Sequence, residues 1–185
     1  MATFLTSRPG SAADPAVPHV VLVGLAGSGK STVGQLLADA LQRDFLDLDV
    51  EITRRCGMSV PEIFGQRGEG FFREQETALT RELAATGGMV LAPGGGWIVS
   101  DENRALLCPP ARMIYLKVSP EVAVHRMGAA TAGRPLLNRP DPRGELERLL
   151  EARRALYESA EHTILVDRLD AQRVTERILE KLQPA

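Results

Sequence analysis

Apolar and polar positions along the chain follow two alternating patterns. Short apolar runs predict buried strands at residues 19–23, 44–49, 89–92, 112–118 and 162–167. Apolar residues at helical spacing predict helices over 31–43, 50–86 with breaks near Gly57 and Gly65–Gly68, 101–108, 119–127, 144–160 and 170–182. Strands that alternate with helices indicate an α/β fold, a five-stranded parallel sheet flanked by helices on both faces.

Length and composition narrow the class of protein. The length of 185 residues predicts one domain, over 19–185, after a flexible N-terminal tail over 1–18. The alternative for the tail is a transit peptide, although the segment is short and poor in arginine. A net charge of -2 argues against nucleic acid and membrane partners. Cys56 and Cys108 lie far apart without ligand-spaced histidines, which argues against a zinc site or a disulfide framework. We expect a cytoplasmic monomer.

The segment GLAGSGKST follows the first predicted strand and opens the first predicted helix. Residues 24–31 fit G-x-x-x-x-G-K-[ST] without mismatch. Glycines let backbone N–H groups form a concave anion site, the lysine supplies a cation, and the serine supplies a hydroxyl for Mg²⁺. The alternative is a glycine-rich turn with a solvated lysine. The predicted ATP-binding residues are Gly27, Ser28, Gly29, Lys30, Ser31 and Thr32.

Two carboxylates follow at the end of the second predicted strand. Asp47 and Asp49 are two residues apart, so on a strand they would point to the same side, beside the phosphate site. One can bind Mg²⁺ through water, and the other can orient or deprotonate a hydroxyl acceptor. The alternative is a helix start, since Asp is a favourable N-cap.

Two arginines on predicted helices are candidates for binding an anion. Arg73 is three residues from Glu76, which would be costly to bury unpaired. It is predicted to bind a substrate carboxylate while Glu76 holds it; an ordinary ion pair is the alternative. Arg153 shares a face with Leu150 and Tyr157, so it points inward and needs an anion, either a substrate or an acid such as Glu76.

Two loops also carry candidate chemistry. Gly94, Gly95 and Gly96 follow the third strand, where backbone that touches a ligand would explain three glycines. A floppy loop is the alternative, but the large aromatic Trp97 should anchor the segment. The polar, proline-rich segment 130–143 has the length of a mobile lid, and Arg134 can bring a charge over a transferring phosphoryl group. A mobile linker is the alternative.

Taken in order, these motifs resemble the shikimate kinase family over residues 19–182. The matching pieces are GLAGSGKST, DLD, FFREQE, GGG, RPLL and RRALY. The P-loop is common to many kinases and ATPases, but the combination in this order is far more specific. Two departures are Ala26 at a frequent proline position, which contributes backbone, and the bulky Trp97, which can reshape the acceptor pocket.

The resemblance implies roles for individual residues. The expected shikimate-binding residues are Asp49, Arg73, Gly94, Gly95, Gly96 and Arg153. By the same resemblance, the two arginines clamp the carboxylate and Asp49 engages the ring hydroxyls, as a base or as an orienting group. Ser31 and Asp47 would serve Mg²⁺, Lys30 and Arg134 would stabilise the phosphoryl charge, and Arg126 would stack on adenine.

The implied reaction is phosphoryl transfer from MgATP to the 3-hydroxyl of shikimate, with Lys30, Asp49 and Arg134 as catalytic residues. A gluconate-type polyol kinase is one alternative, although it would not need FR-x-x-E and GGG together. A non-catalytic module that senses ATP or shikimate is another, although it should have lost Lys30, Asp49 or the lid arginine.

Overall fold

The computed structural model describes residues 16–128 and 141–183. Most of the predicted tail over 1–18 and of the predicted lid over 130–143, including Arg134, therefore lies outside the described residues.

Five parallel strands and seven helices make up the described chain. The strands are β1 Val20–Val23, β2 Phe45–Asp47, β3 Val90–Ala92, β4 Arg112–Lys117 and β5 His162–Leu165. The helices are α1 Lys30–Leu41, α2 Leu48–Cys56, α3 Val60–Ala84, α4 Asp101–Leu107, α5 Pro120–Met127, α6 Pro142–Glu158 and α7 Ala171–Leu182. A 3₁₀ turn, Trp97–Val99, follows the three glycines.

The sheet has the strand order β2-β3-β1-β4-β5, and every pair is parallel. The connection from β1 to β2 runs toward one edge, whereas the later connections run toward the other. Because such crossovers are right-handed, α1 lies on one face and α2 to α6 on the opposite face. α7 packs against α1, and α3 packs against α2 and α4. The predicted architecture is confirmed.

The loops at the carboxyl ends of β1, β2 and β3 meet at one edge of the sheet, because these strands are parallel neighbours. Of these strands, β1 and β3 are buried, with Val20, Val21, Leu22 and Val23 of β1 at most 2% exposed, whereas β2 at the sheet edge is half-buried. A rigid sheet thus presents three loops side by side. They are the P-loop (residues 24–31), the Asp47 junction, where β2 meets α2, and the glycine segment (residues 94–96). Among the described residues, we find no helix of the length and apolarity that crossing a membrane requires.

Helix boundaries differ from the prediction at one important place. β2 ends at Asp47, and Asp49 lies in the first turn of α2 rather than on the strand. The strand predicted over 44–49 is confirmed over residues 45–47, but its predicted end was wrong because Asp47 caps the helix, accepting hydrogen bonds from the backbone N–H groups of Asp49 and Val50. The predicted breaks are confirmed at Gly57, which follows α2 with φ 64°, and at Gly68, which interrupts α3 with φ 82°.

Candidate active site

The P-loop needs glycine at defined positions. Gly24 has φ 147° and Gly27 has φ 80°, values that side chains rarely tolerate. A Cβ on Gly24 would lie 2.6 Å from the carbonyl oxygen of Leu116, and a Cβ on Gly27 would lie 2.6 Å from that of Ala123. The loop therefore fits closely against the end of β4 and the first half of α5.

The loop ends where α1 begins. Gly29 is the N-cap residue, with φ 92°, and the N–H of Ser28 closes the preceding turn on the carbonyl of Leu25 at 3.2 Å. Lys30 Nζ donates to the carbonyl oxygens of Gly24 at 2.9 Å and Leu25 at 3.0 Å, so its ammonium group lies over the loop. Thr32 follows in the exposed first turn of α1. Helix N-terminus, backbone loop and cation together form an anion site.

Ser31 and Asp47 bring two oxygen groups together beside this loop. Ser31 Oγ donates to Asp47 Oδ2 at 2.5 Å, while Asp47 Oδ1 accepts from the N–H groups of Asp49 and Val50. Asp47 therefore caps α2, which was the predicted alternative, and it also lies beside Ser31, as the predicted Mg²⁺ site requires. Asp47 Oδ2 and Ser31 Oγ thus lie together beside the P-loop, and oxygen atoms of this kind are the ligands that hard cations prefer.

Each glycine of the glycine segment lies next to a different side chain that is predicted to bind the acceptor. A Cβ on Gly94 would lie 2.6 Å from Asp49 Oδ1, and one on Gly96 would collide with the guanidinium of Arg73. A Cβ on Gly95 would meet Arg153 Nη1 at 3.7 Å and the P-loop carbonyl of Gly24 at 3.6 Å. The segment thus lies between the phosphate site and three charged side chains.

Arg73 is held by two carboxylates of its own helix. Its Nη1 donates to Glu76 Oε2 at 2.9 Å, and its Nη2 donates to Glu69 Oε1 at 2.9 Å. Glu76 is fully buried, and its Oε1 has no hydrogen-bond partner within 16–128 and 141–183. Burial raises the pKa of Glu76 to about 7, although the charge of Arg73 opposes the shift. The predicted Arg73–Glu76 pair is confirmed as a contact.

Arg153 projects from α6 toward the glycine segment. Its Nη1 donates to the carbonyl oxygen of Gly95 at 2.8 Å, and Tyr157 Oη donates to the same oxygen at 3.0 Å. The inward direction predicted for Arg153 is confirmed. In the part of the chain that the structure describes, its hydrogen-bond partner is this carbonyl rather than Glu76.

Arg126 lies at the C-terminal end of α5. Its Nη2 donates to the carbonyl oxygens of Val166 at 2.6 Å and Leu169 at 3.3 Å, in the segment after β5. Arg126 is an exposed residue, three positions along α5 from Ala123, the residue that Gly27 of the P-loop meets. Its predicted role in adenine stacking stays a prediction, as does the role of Arg134, which lies outside the described residues.

Trp97 anchors the glycine segment, as predicted for a large aromatic at this position. Its side chain is fully buried, and its indole N–H donates to Thr80 Oγ1 at 3.0 Å. The ring is therefore core, packed behind the segment, and any influence on an acceptor is indirect.

Sequence reasoning did not identify Glu69 or Thr80. Glu69 is four residues before Arg73, a spacing that could have predicted the contact. Thr80 is four residues after Glu76, which places it on the same helix face, but nothing in the sequence connects it to Trp97. Among the described residues, no group of three or more His, Cys, Asp or Glu side chains is arranged to hold a metal.

Comparison with known proteins agrees with this geometry. The family model of shikimate kinase matches residues 26–183. A shikimate kinase of Pseudomonas paraeruginosa is 43% identical over 166 residues, covering 89% of this chain and 96% of the relative. The structure of a shikimate kinase from Acinetobacter baumannii, solved in complex with shikimate, has 38% identity, a TM-score of 0.86 and coverage of 91% of this chain and 94% of that one.

A gluconokinase from Sinorhizobium meliloti has a TM-score of 0.54 at 19% identity, with coverage of 89% of this chain and 95% of that one. At that identity the likeness shows the fold alone. The family model and the relatives above 30% identity decide between the kinases of this fold: the chain belongs to the shikimate kinase family, enzymes that phosphorylate shikimate with ATP.

Proposed function

We propose that this chain transfers the γ-phosphoryl group of ATP to the 3-hydroxyl of shikimate in the site formed by the P-loop, the Asp47 junction and the glycine segment. The observation that carries the proposal is the position of Gly94, Gly95 and Gly96, which adjoin Asp49, Arg153 and Arg73 respectively, with Gly95 also near the P-loop. A small acid bound against this segment would lie between carboxylate-binding arginines and the phosphate site.

The phosphate groups of ATP would bind the backbone of Gly27, Ser28 and Gly29 and the first turn of α1. Lys30 now donates to two loop carbonyls, and the same ammonium group can turn to the terminal phosphates and neutralise charge there. Arg134 would add a second positive charge, and Arg126 would lie at the adenine.

The residues present fit Mg²⁺. Ser31 Oγ and Asp47 Oδ2 supply two hard oxygen ligands 2.5 Å apart, and Mg²⁺ in kinases takes its remaining ligands from phosphates and water. When bound, the ion screens the charge that develops on the transferring phosphoryl group. The hydrogen bonds from Asp49 and Val50 hold the Asp47 carboxylate in place for this role.

The acceptor would be positioned by opposite charges at its two ends. Arg73 and Arg153 would bind the carboxylate, and Asp49 would accept a hydrogen bond from the hydroxyl and, as the transfer proceeds, orient it or take its proton. An acceptor without a carboxylate would leave both guanidiniums without that anion, a loss of about 2–5 kcal/mol for one disrupted charge pair.

Turnover assays test the reaction directly. ADP release from MgATP would be measured with shikimate, with gluconate and without an acceptor; strong dependence on shikimate is expected. Turnover with gluconate alone would contradict the assignment of shikimate as the acceptor. Binding of shikimate without any turnover would favour a sensor.

Residue variants test the assignments. Arg73→Ala and Arg153→Ala should chiefly raise the KM for shikimate, Asp49→Asn should chiefly lower kcat, and Lys30→Met should abolish turnover. An unchanged KM for shikimate in either arginine variant would remove that arginine from the site. The monomeric state and cytoplasmic location are further predictions, which light scattering and cell fractionation check.

A further inference from the structure

One buried hydrogen bond connects the glycine segment to α3, the helix that carries Arg73, and a second continues from it within that helix. The indole N–H of Trp97 donates to Thr80 Oγ1 at 3.0 Å. The hydroxyl of Thr80 in turn donates to the backbone carbonyl of Glu76 at 2.7 Å. All three residues have no exposed surface, so water does not compete for these bonds.

Each end of this connection lies next to part of the acceptor site. At one end, the backbone N–H of Trp97 donates to the carbonyl of Gly94 at 3.1 Å, which ties the indole to the glycine segment itself. At the other end, Thr80 lies one helical turn beyond Glu76, whose carboxylate holds Arg73. The bond from Trp97 to Thr80 therefore joins the glycine segment to α3. The separation between that segment and α3 determines the position of Arg73 relative to Gly96.

The opposite side of the glycine segment is fixed by a different helix. The carbonyl of Gly95 accepts hydrogen bonds from Arg153 and Tyr157 of α6. The 3₁₀ turn is also tied to α4, because Arg104 donates to the carbonyl of Ile98. Among these contacts, the bond from Trp97 to Thr80 is the one that sets the distance to α3.

We propose that Trp97 and Thr80 are positioning residues for the acceptor: their hydrogen bond fixes the glycine segment against the turn of α3 that carries Arg73 and Glu76. This inference rests on the proposed role of Arg73 in binding the substrate carboxylate. A tryptophan selected only for bulk could be replaced by another large apolar residue. The indole N–H adds a directional constraint, because it donates to the Thr80 hydroxyl, which itself donates to the backbone carbonyl of Glu76.

The P-loop is held by other contacts, namely the fit of Gly24 against Leu116 and of Gly27 against Ala123. Loss of the Trp97–Thr80 bond should therefore act on the acceptor and leave the nucleotide site largely intact. A purely structural role would instead lower the melting temperature without a selective change in KM for shikimate. The positioning role thus predicts a selective change in the KM for shikimate, whereas the structural role predicts only a lower melting temperature.

Four variants separate these roles. Thr80→Val keeps the shape of the side chain but removes the hydroxyl, and Trp97→Phe keeps an aromatic ring but removes the N–H. Both should raise the KM for shikimate about tenfold while the KM for ATP changes less than about twofold. Thr80→Ser keeps the hydroxyl and should restore the KM for shikimate. Thr175→Val is the matched control.

Thr175 makes the same type of bond within α7, from its Oγ1 to the carbonyl of Ala171 at 2.8 Å, on a helix that packs on α1. Its replacement should leave the KM for shikimate unchanged at a comparable loss of melting temperature. The double variant Thr80→Val with Trp97→Phe should be no worse than the poorer single variant, because both remove one shared bond.

Arg73→Ala distinguishes failure of this inference from failure of the proposed site. If Arg73→Ala raises the KM for shikimate but Thr80→Val and Trp97→Phe lower only the melting temperature, the positioning role is wrong and the site stands. If Arg73→Ala leaves that KM unchanged, both are wrong. Should Trp97→Phe fail to fold, Thr80→Val against Thr80→Ser decides the question alone.

Discussion

Gly96→Ala adds a single methyl group at the point where the glycine segment touches Arg73. Gly96 has φ -90° and ψ -16°, a conformation that alanine adopts readily, so the substitution introduces no backbone strain. Its Cβ would lie 2.6 Å from both Cζ and Nη1 of Arg73. The perturbation is therefore confined to the place that the guanidinium now occupies.

The size of the effect follows from these distances. Carbon contacts are normal at 3.5–4.0 Å, so the guanidinium must move by about 1 Å. A shift of that size lengthens the Nη1 bond to Glu76 Oε2, now 2.9 Å, and misplaces the charge that meets the substrate carboxylate. Misplacement by about 1 Å can lower activity about a hundredfold, so we expect the KM for shikimate to rise between tenfold and that limit.

Steady-state kinetics with shikimate as the varied substrate measures the effect, and thermal unfolding measures its stability cost. Because the displaced group is the end of a flexible side chain, the loss of stability should be about 1 kcal/mol or less, a change in Tm of about 2–4 °C. Gly65→Ala is the control, because Gly65 lies on α3, as Arg73 does, and a Cβ there would meet no atom of the described residues within 4 Å. An unchanged KM for shikimate in a folded Gly96→Ala enzyme would refute the reasoning.

Three further predictions follow from the same geometry. Gly94→Ala should displace the Asp49 carboxylate, 2.6 Å from the new Cβ, and lower kcat more than it raises the KM for shikimate; the reverse pattern would contradict the role of Asp49. Gly27→Ala should raise the KM for ATP and lower the Tm, because φ is 80° and the Cβ would meet the carbonyl of Ala123 at 2.6 Å; an unaffected KM for ATP would count against the loop assignment. Since the pKa of Glu76 is about 7, a bound carboxylate should raise it further, so shikimate binding near pH 7 should take up protons. Calorimetry in two buffers of different ionisation enthalpy measures this uptake, which should disappear in Glu76→Gln and which an equal heat in both buffers would disprove.

Features that depend on neighbouring residues could be predicted from the sequence. The P-loop motif, the helix predicted over 119–127 and the break at Gly68 are all local, and each was found where the pattern placed it. The contact of Arg73 with Glu76 follows from helical spacing alone. The parallel direction of the strands also follows largely from the alternation of strands and helices.

Features that depend on distant residues could not be predicted in this way. Arg153 meets Gly95 across 58 positions of sequence, and periodicity could show only that its side chain points inward. The bond between Trp97 and Thr80 joins two segments that no pattern connects. The strand prediction at Asp49 failed for a different reason: a capping carboxylate at Asp47 began a helix where hydrophobic alternation suggested that the strand continued.

The glycines of this site serve two separate physical purposes, which a glycine count alone cannot distinguish. Gly24 and Gly27 have positive φ, so there a side chain is excluded by the backbone conformation as well as by a carbonyl opposite. Gly96 has an ordinary φ, and neither it nor Gly94 belongs to the positive-φ glycines of the described residues, so there a side chain is excluded only by the charged group it would meet. Alanine at the first kind should therefore damage folding and nucleotide binding together, whereas alanine at the second kind should damage the acceptor site in a folded protein.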